Sequence, residues 1–258
     1  AQEVSISDNL NNCDQYLRSI SSITSELQTA DSSLNSVVTA LQQAISLGTE
    51  GANGTLSLED RDNIAQQVQG ISQQVFNIAN LSYNGVYVFG GTETSQPPYV
   101  LDSSSPGGVK YQGNEDVNSV EINAGQSVAV NQPGSQLFSA QDANVFVALS
   151  DLSTALQDPN STTEDIGNTV TEVSAAYNQL TSGRTFYGST VDQLASTGEF
   201  LNNENVQFAQ QQNSTVGVDM DTAATNLTQA EEARAATVQA AATMNEVTLM
   251  DYLSNMPV

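Results

Sequence analysis

The chain has 258 residues, with 29 Asp and Glu against 5 Lys and Arg, a net charge of −24, and no His or Trp. That balance argues against nucleic acid and anionic membrane as partners, since both need a basic footprint. The lack of His removes the Ser-His-Asp triad, the HExxH zinc site and any His base, and no apolar run approaches the ~18 residues that span a bilayer.

The opening residues Ala1-Gln2-Glu3-Val4 lack the basic start and apolar centre of a secretory signal, and residues are expected to have been lost ahead of Ala1. From Ile6 to Ile45 the apolar residues keep heptad spacing, through Cys13, Ile20, Leu27, Leu34 and Leu41, with failures at Thr24 and Asp31. This predicts a coiled-coil helix, with Cys13 as core filler and a turn from Gly48 to Gly54. Ser57 with Asp60 reads as a capping box that starts a second helix at about Leu58, antiparallel to the first. Its apolar face is Ile64, Val68, Ile71, Val75 and Ile78, and Tyr83-Asn84-Gly85 ends the period.

Val86 to Phe89, Val109 to Tyr111, Val117 to Ile122 and Ser127 to Val130 are β-branched or alternating, separated by Gly- and Pro-containing turns. They predict hairpins in a small β module. Helix is expected again from about Asp142, with Val145, Leu149, Leu152 and Leu156 on one face, until Asp158-Pro159. Ser161 with Glu164 reads as another capping box. A second heptad run follows through Ile166, Val170, Val173, Tyr177, Leu180, Tyr187, Val191, Leu194, Leu201 and Phe208, interrupted at Arg184, Gly198 and Asn205. The last segment, Met220 to Leu253, is Ala-rich, with Leu227, Val238, Met244, Leu249 and Tyr252 on one side.

The predicted fold is mainly α with a β insertion. A long antiparallel coiled-coil rod is built from the N- and C-terminal halves (residues 1–85 and 140–258), with a small β domain (86–139) at the far end. Each rod needs the other to bury its stripe, because an exposed heptad helix gains little from propensity alone. If Ile45 lies near Ile166, the two seam interruptions Asp31 and Arg184 fall within about a turn of each other, and a pair there would fix register. The alternative is that each reaches water separately.

Catalysis would have to come from carboxylate pairs. Glu59-Asp60-Asp62 and Asp219-Asp221 lie at helix starts, where negative charge suits the dipole. Glu115-Asp116 lies in a turn. None has the spacing of a calcium loop. No enzyme activity, cofactor or metal is expected.

These residues together resemble the flagellar hook-associated protein 3 family of the flagellin superfamily, which forms the hook–filament junction. The match rests on Ala52-Asn53-Gly54-Thr55, on Ser82 to Gly91 with Thr94 and Pro97-Pro98-Tyr99, on Val109 to Asp116 with Gly125 to Phe138, and on Asn226 to Ala230 through Leu249 to Leu253. The resemblance implies a secreted, extracellular, non-enzymatic subunit of the bacterial flagellum. It would be exported by the flagellar type III apparatus and self-assemble, when full-length, into a ring. Implied partners are a neighbouring hook-associated protein, filament flagellin and a cytoplasmic export chaperone. Leu227, Val238, Met244, Leu249, Tyr252 and Leu253 would then carry subunit or chaperone contacts. It also implies a further amphipathic helix ahead of Ala1 that pairs with residues 220–253. Other readings are a filament flagellin with a small insertion, or an acidic glycan-binding adhesin, against which the lack of Trp and of a clustered aromatic platform counts.

Overall fold

The computed structural model describes the backbone of residues 2–254 and the side chains of residues 4–215 and 220–240. Two compact units result, residues 15–202 and residues 1–14 with 203–258.

Helix α1 (Gln2–Gly51) runs through Gly48, where a turn was expected, and the turn begins only at Ala52. A Cβ on Gly48 would run into Val170 and Leu152, and one on Gly51 into Leu156. The missing side chains let two other helices close on the end of α1, which offsets glycine's poor helix propensity. Helix α2 (Leu58–Ala79) starts with the predicted box: Ser57 Oγ accepts from the Asp60 N–H at 3.1 Å, and Asp60 Oδ2 accepts from the Ser57 N–H at 3.3 Å.

The insertion is a set of two-stranded antiparallel ribbons rather than one sheet. They are β1 (Ser82–Tyr83) with β2 (Val86–Tyr87), β3 (Tyr99–Leu101) with β4 (Val109–Tyr111), β5 (Ser119–Asn123) with β6 (Gln126–Ala129), and β7 (Ser139–Ala140) with β8 (Ala143–Asn144). Asn84 and Gly85 have φ of 51° and 82°, as a two-residue I′ hairpin requires. Strand β2 is shorter than its β-branched run, because Val88 and Phe89 leave the ribbon and are buried. A short helix, α3 (Gly134–Phe138), stands where only a Pro-Gly turn was legible.

Aromatic packing joins these pieces. Phe89 meets Phe138 edge-on at 5.2 Å between centroids, and Tyr99 meets Phe146 at 5.1 Å. Side-chain amides, one half-buried and one buried, supply what ribbon edges lack. Asn80 Nδ2 donates to the Tyr99 carbonyl while its Oδ1 accepts from the Tyr99 N–H, both at 2.9 Å. Asn131 Nδ2 donates to the Gly91 carbonyl at 3.0 Å, and its Oδ1 accepts from the Asn118 N–H at 2.7 Å.

Helix α4 (Val145–Gln157) follows β8 and is capped by Asn144, so it begins later than Asp142. Its buried Leu149, Leu152 and Leu156 pack on the Ile64–Val75 face of α2. Helix α5 (Thr163–Ser254) opens with a box one residue along from the one expected at Ser161 and Glu164. Thr162 Oγ1 accepts from the Asp165 N–H at 3.2 Å, and Asp165 Oδ2 accepts from the Thr162 N–H at 2.8 Å. The backbone and hydroxyl of Thr162 hold the Asp165 carboxyl below the ordinary Asp range.

Within the unit 15–202, α1 and α5 run antiparallel. Ile20 faces Gly198, Asp31 faces Arg184, Gln42 faces Tyr177 and Gly48 faces Val170. From α1 the core takes Leu27, Ala30, Leu34, Val37 and Leu41, all essentially without exposure. From α5 it takes Val173, Leu180, Tyr187, Leu194 and Leu201, alternating with Ala176, Gly183 and Thr190. The second line differs from the expected seam, which used Val170, Tyr177 and Val191; these are half-buried flanks. The β5–β6 hairpin also reaches α1, where Glu121 Oε1 accepts from Tyr16 Oη at 3.3 Å.

In the other unit, Ile6 and Cys13 are buried and Asn205 Nδ2 donates to Asp14 Oδ1 at 2.7 Å. Burial pushes the Cys13 thiol up, and the carboxylates of Glu204 and Asp14 add to this. A thiol so placed is a packing group, not a nucleophile.

Candidate functional site: an interhelix pair and an exposed helical face

The structure brings Asp31 and Arg184 together. Arg184 Nε donates to Asp31 Oδ1 at 2.8 Å and Nη2 to Oδ2 at 3.0 Å, while Nη1 donates to Asn35 Oδ1 at 2.8 Å. The guanidinium fork matches the carboxylate in both bonds, a geometry Lys cannot supply. The side chains keep 29% and 33% of their exposure, so the pair lies at the edge of the seam. Gly183, not Arg184, occupies the buried line. Hydrogen bonding to Asp31 raises the Arg184 pKa further. One heptad earlier, Tyr177 Oη accepts from Gln42 Nε2 at 3.0 Å on the same flank. Polar links at heptad spacing beside a small-residue seam therefore tie α5 to α1.

The other candidate residues fall on α5 beyond this region. Met220, Leu227 and Val238 are 69%, 62% and 64% exposed, and every side chain described from 220 to 240 is exposed. Ala-rich composition favours helix there without burial. Large apolar groups on an exposed amphipathic helix are the surface used when one helix docks in another's groove. Met244, Leu249, Tyr252 and Leu253 lie outside the described side chains. Asp60, in the acidic cluster at the start of α2, is engaged in its cap. Among the described residues no group of three or more His, Cys, Asp or Glu could hold a metal, and no helix is long and apolar enough to cross a membrane.

N- and C-terminal helices that pair antiparallel, with ribbons inserted between them, define a flagellin-type helical protein. The model of the bacterial flagellin N-terminal helical region matches residues 1–94, and that of the bacterial flagellin C-terminal helical region matches residues 170–253. Flagellar hook-associated protein 3 of Escherichia coli (strain K12) is 26% identical over 227 residues, covering 80% of this chain and 70% of its own. The protein of that name from Salmonella typhimurium is 30% identical over 159 residues, 56% of this chain; the match spans 49% of that relative's length. The crystal structure of flagellar hook associated protein-3 from Legionella pneumophila has a TM-score of 0.74 at 15% identity, covering 83% of this chain and 98% of that one. At that identity the likeness is one of fold. Through the two flagellin helical regions, which together span more than half of its length, the chain belongs to the bacterial flagellin family, and within it the chain is similar to proteins named flagellar hook-associated protein 3.

Proposed function

We propose that the protein is a structural subunit of the bacterial flagellum that sits between hook and filament. In this reading it is non-enzymatic, leaves the cell through the flagellar type III apparatus and joins other copies in a ring, with a hook-side neighbour and filament flagellin above and below. The observation that supports it most is likeness over 80% of the chain to a protein named flagellar hook-associated protein 3. The exposed apolar groups Leu227 and Val238 support it from the structure, since an assembling subunit needs such a face. With Met244, Leu249, Tyr252 and Leu253 they would hold neighbouring subunits and, before export, a cytoplasmic chaperone. The Asp31–Arg184 pair would keep the shaft in one register while those contacts form.

Deletion of the gene tests the proposal. The expected result is hooks without filaments and flagellin secreted into the medium. Normal filaments would overturn it. Bare hooks with no flagellin in the medium would make the protein the filament subunit instead.

A further inference from the structure

Sulfur is placed unevenly along this chain. There are one Cys and four Met, and the Met all fall in the last segment, as Met220, Met244, Met250 and Met256. Residues 1–219 contain none, so the helical core is built without the unbranched side chain that fills irregular gaps. Cys13 is 5% exposed, and burial removes it as a reactive group. Met220 is the opposite case, standing on α5 with 69% of its surface exposed.

Leu227 and Val238 continue the line that Met220 begins, at 62% and 64% exposed. At 3.6 residues per turn the three side chains repeat within about 20° of one line along the helix. They therefore form a single apolar stripe in water. A thioether suits a face that meets more than one partner, because sulfur is polarisable and the unbranched chain repacks easily. It is also the one group of the three open to chemistry.

We propose that Met220 is an oxidation site, and that its conversion to the sulfoxide by a peroxide weakens docking on this stripe. The sulfur lone pair attacks one oxygen of hydrogen peroxide. An S–O bond forms as the O–O bond breaks, and the other oxygen leaves as water with both protons. Sulfur loses two electrons and the peroxide gains them. The product sets a strong hydrogen-bond acceptor among apolar groups, and covering it with a partner that offers no donor costs binding free energy. Methionine sulfoxide reductases reverse the change. The site itself rests on exposure and placement, and its effect on docking rests on the function proposed above.

The full-length chain is treated with hydrogen peroxide, its methionines are mapped by peptide mass spectrometry, and its self-association is followed by sedimentation beside an untreated sample. Met220 should carry one added oxygen, and association should fall about tenfold. Methionine sulfoxide reductase should restore it. In Met220→Leu, compared with its own untreated sample, the loss should be less than about threefold. Met220 left unoxidised, or an equal loss in Met220→Leu, would overturn the proposal. Untreated chains that do not associate would instead overturn the docking effect together with the function proposed above, and the mass map alone would decide the oxidation site.

Discussion

Arg184→Ala is the perturbation whose size the structure constrains best. It removes two bonds to the Asp31 carboxylate and one to Asn35. A hydrogen bond to a charged partner contributes about 1.5–3 kcal/mol when buried, whereas exposed ion pairs contribute about 0–1 kcal/mol. With roughly a third of each side chain still exposed, the loss should be about 1–2 kcal/mol, or a fall in Tm of about 2–8 °C for a unit of this size. A thermodynamic cycle with Asp31→Ala and the double variant, followed by urea denaturation and circular dichroism, isolates the pair. The expected coupling is about 1 kcal/mol in 0.15 M salt. Arg18→Ala, at an exposed base on α1, should change stability by less than about 0.5 kcal/mol. Coupling below about 0.3 kcal/mol would refute the view that this pair holds α1 and α5 in register.

Gly183→Ala should destabilise by about 1–2 kcal/mol in denaturation, since overpacking against Leu137 outweighs the helix propensity of Ala; Leu137→Ala in the same chain should recover part of that loss. Burial raises the phenols of Tyr99 and Tyr187. Their stabilising effect is thus complete below the unfolded value of about 10 and is lost as pH rises beyond it. Alkaline unfolding followed at 295 nm should start above about pH 10, and Tyr99→Phe should flatten it. Each copy carries a charge of −24, so self-assembly of the full-length protein should strengthen from low to moderate salt in sedimentation; weaker association with added salt would contradict that.

The long helices were legible because heptad spacing survives single polar interruptions. Half of the α5 stripe was legible too, since Ile166, Val173, Leu180, Tyr187, Leu194 and Leu201 are buried as read, and the other half was not, for a physical reason. Its buried line alternates large residues with Ala176, Gly183 and Thr190, which carry no hydrophobic signal, while the flanking Tyr177 and Val191 do. Gly48 and Gly51 read as turn residues, and only the crowding of Val170, Leu152 and Leu156 against them reveals close helix packing. The Thr162–Asp165 cap was missed by one residue because Ser161 and Glu164 offer the same chemistry at the same spacing. In the insertion, hairpin positions could be read, but β3, β7, β8 and α3 are too short to leave a period. Asn80 and Asn131 carry no signal in the sequence, because their backbone pairing depends on loops that meet only in the fold.

Where the protein sits on the flagellum tests the central claim most directly. Immunogold labelling of intact flagella, imaged by electron microscopy, should place it in a single narrow band between the hook and the first filament subunits. Label spread along the filament, or none on the flagellum, would contradict the account.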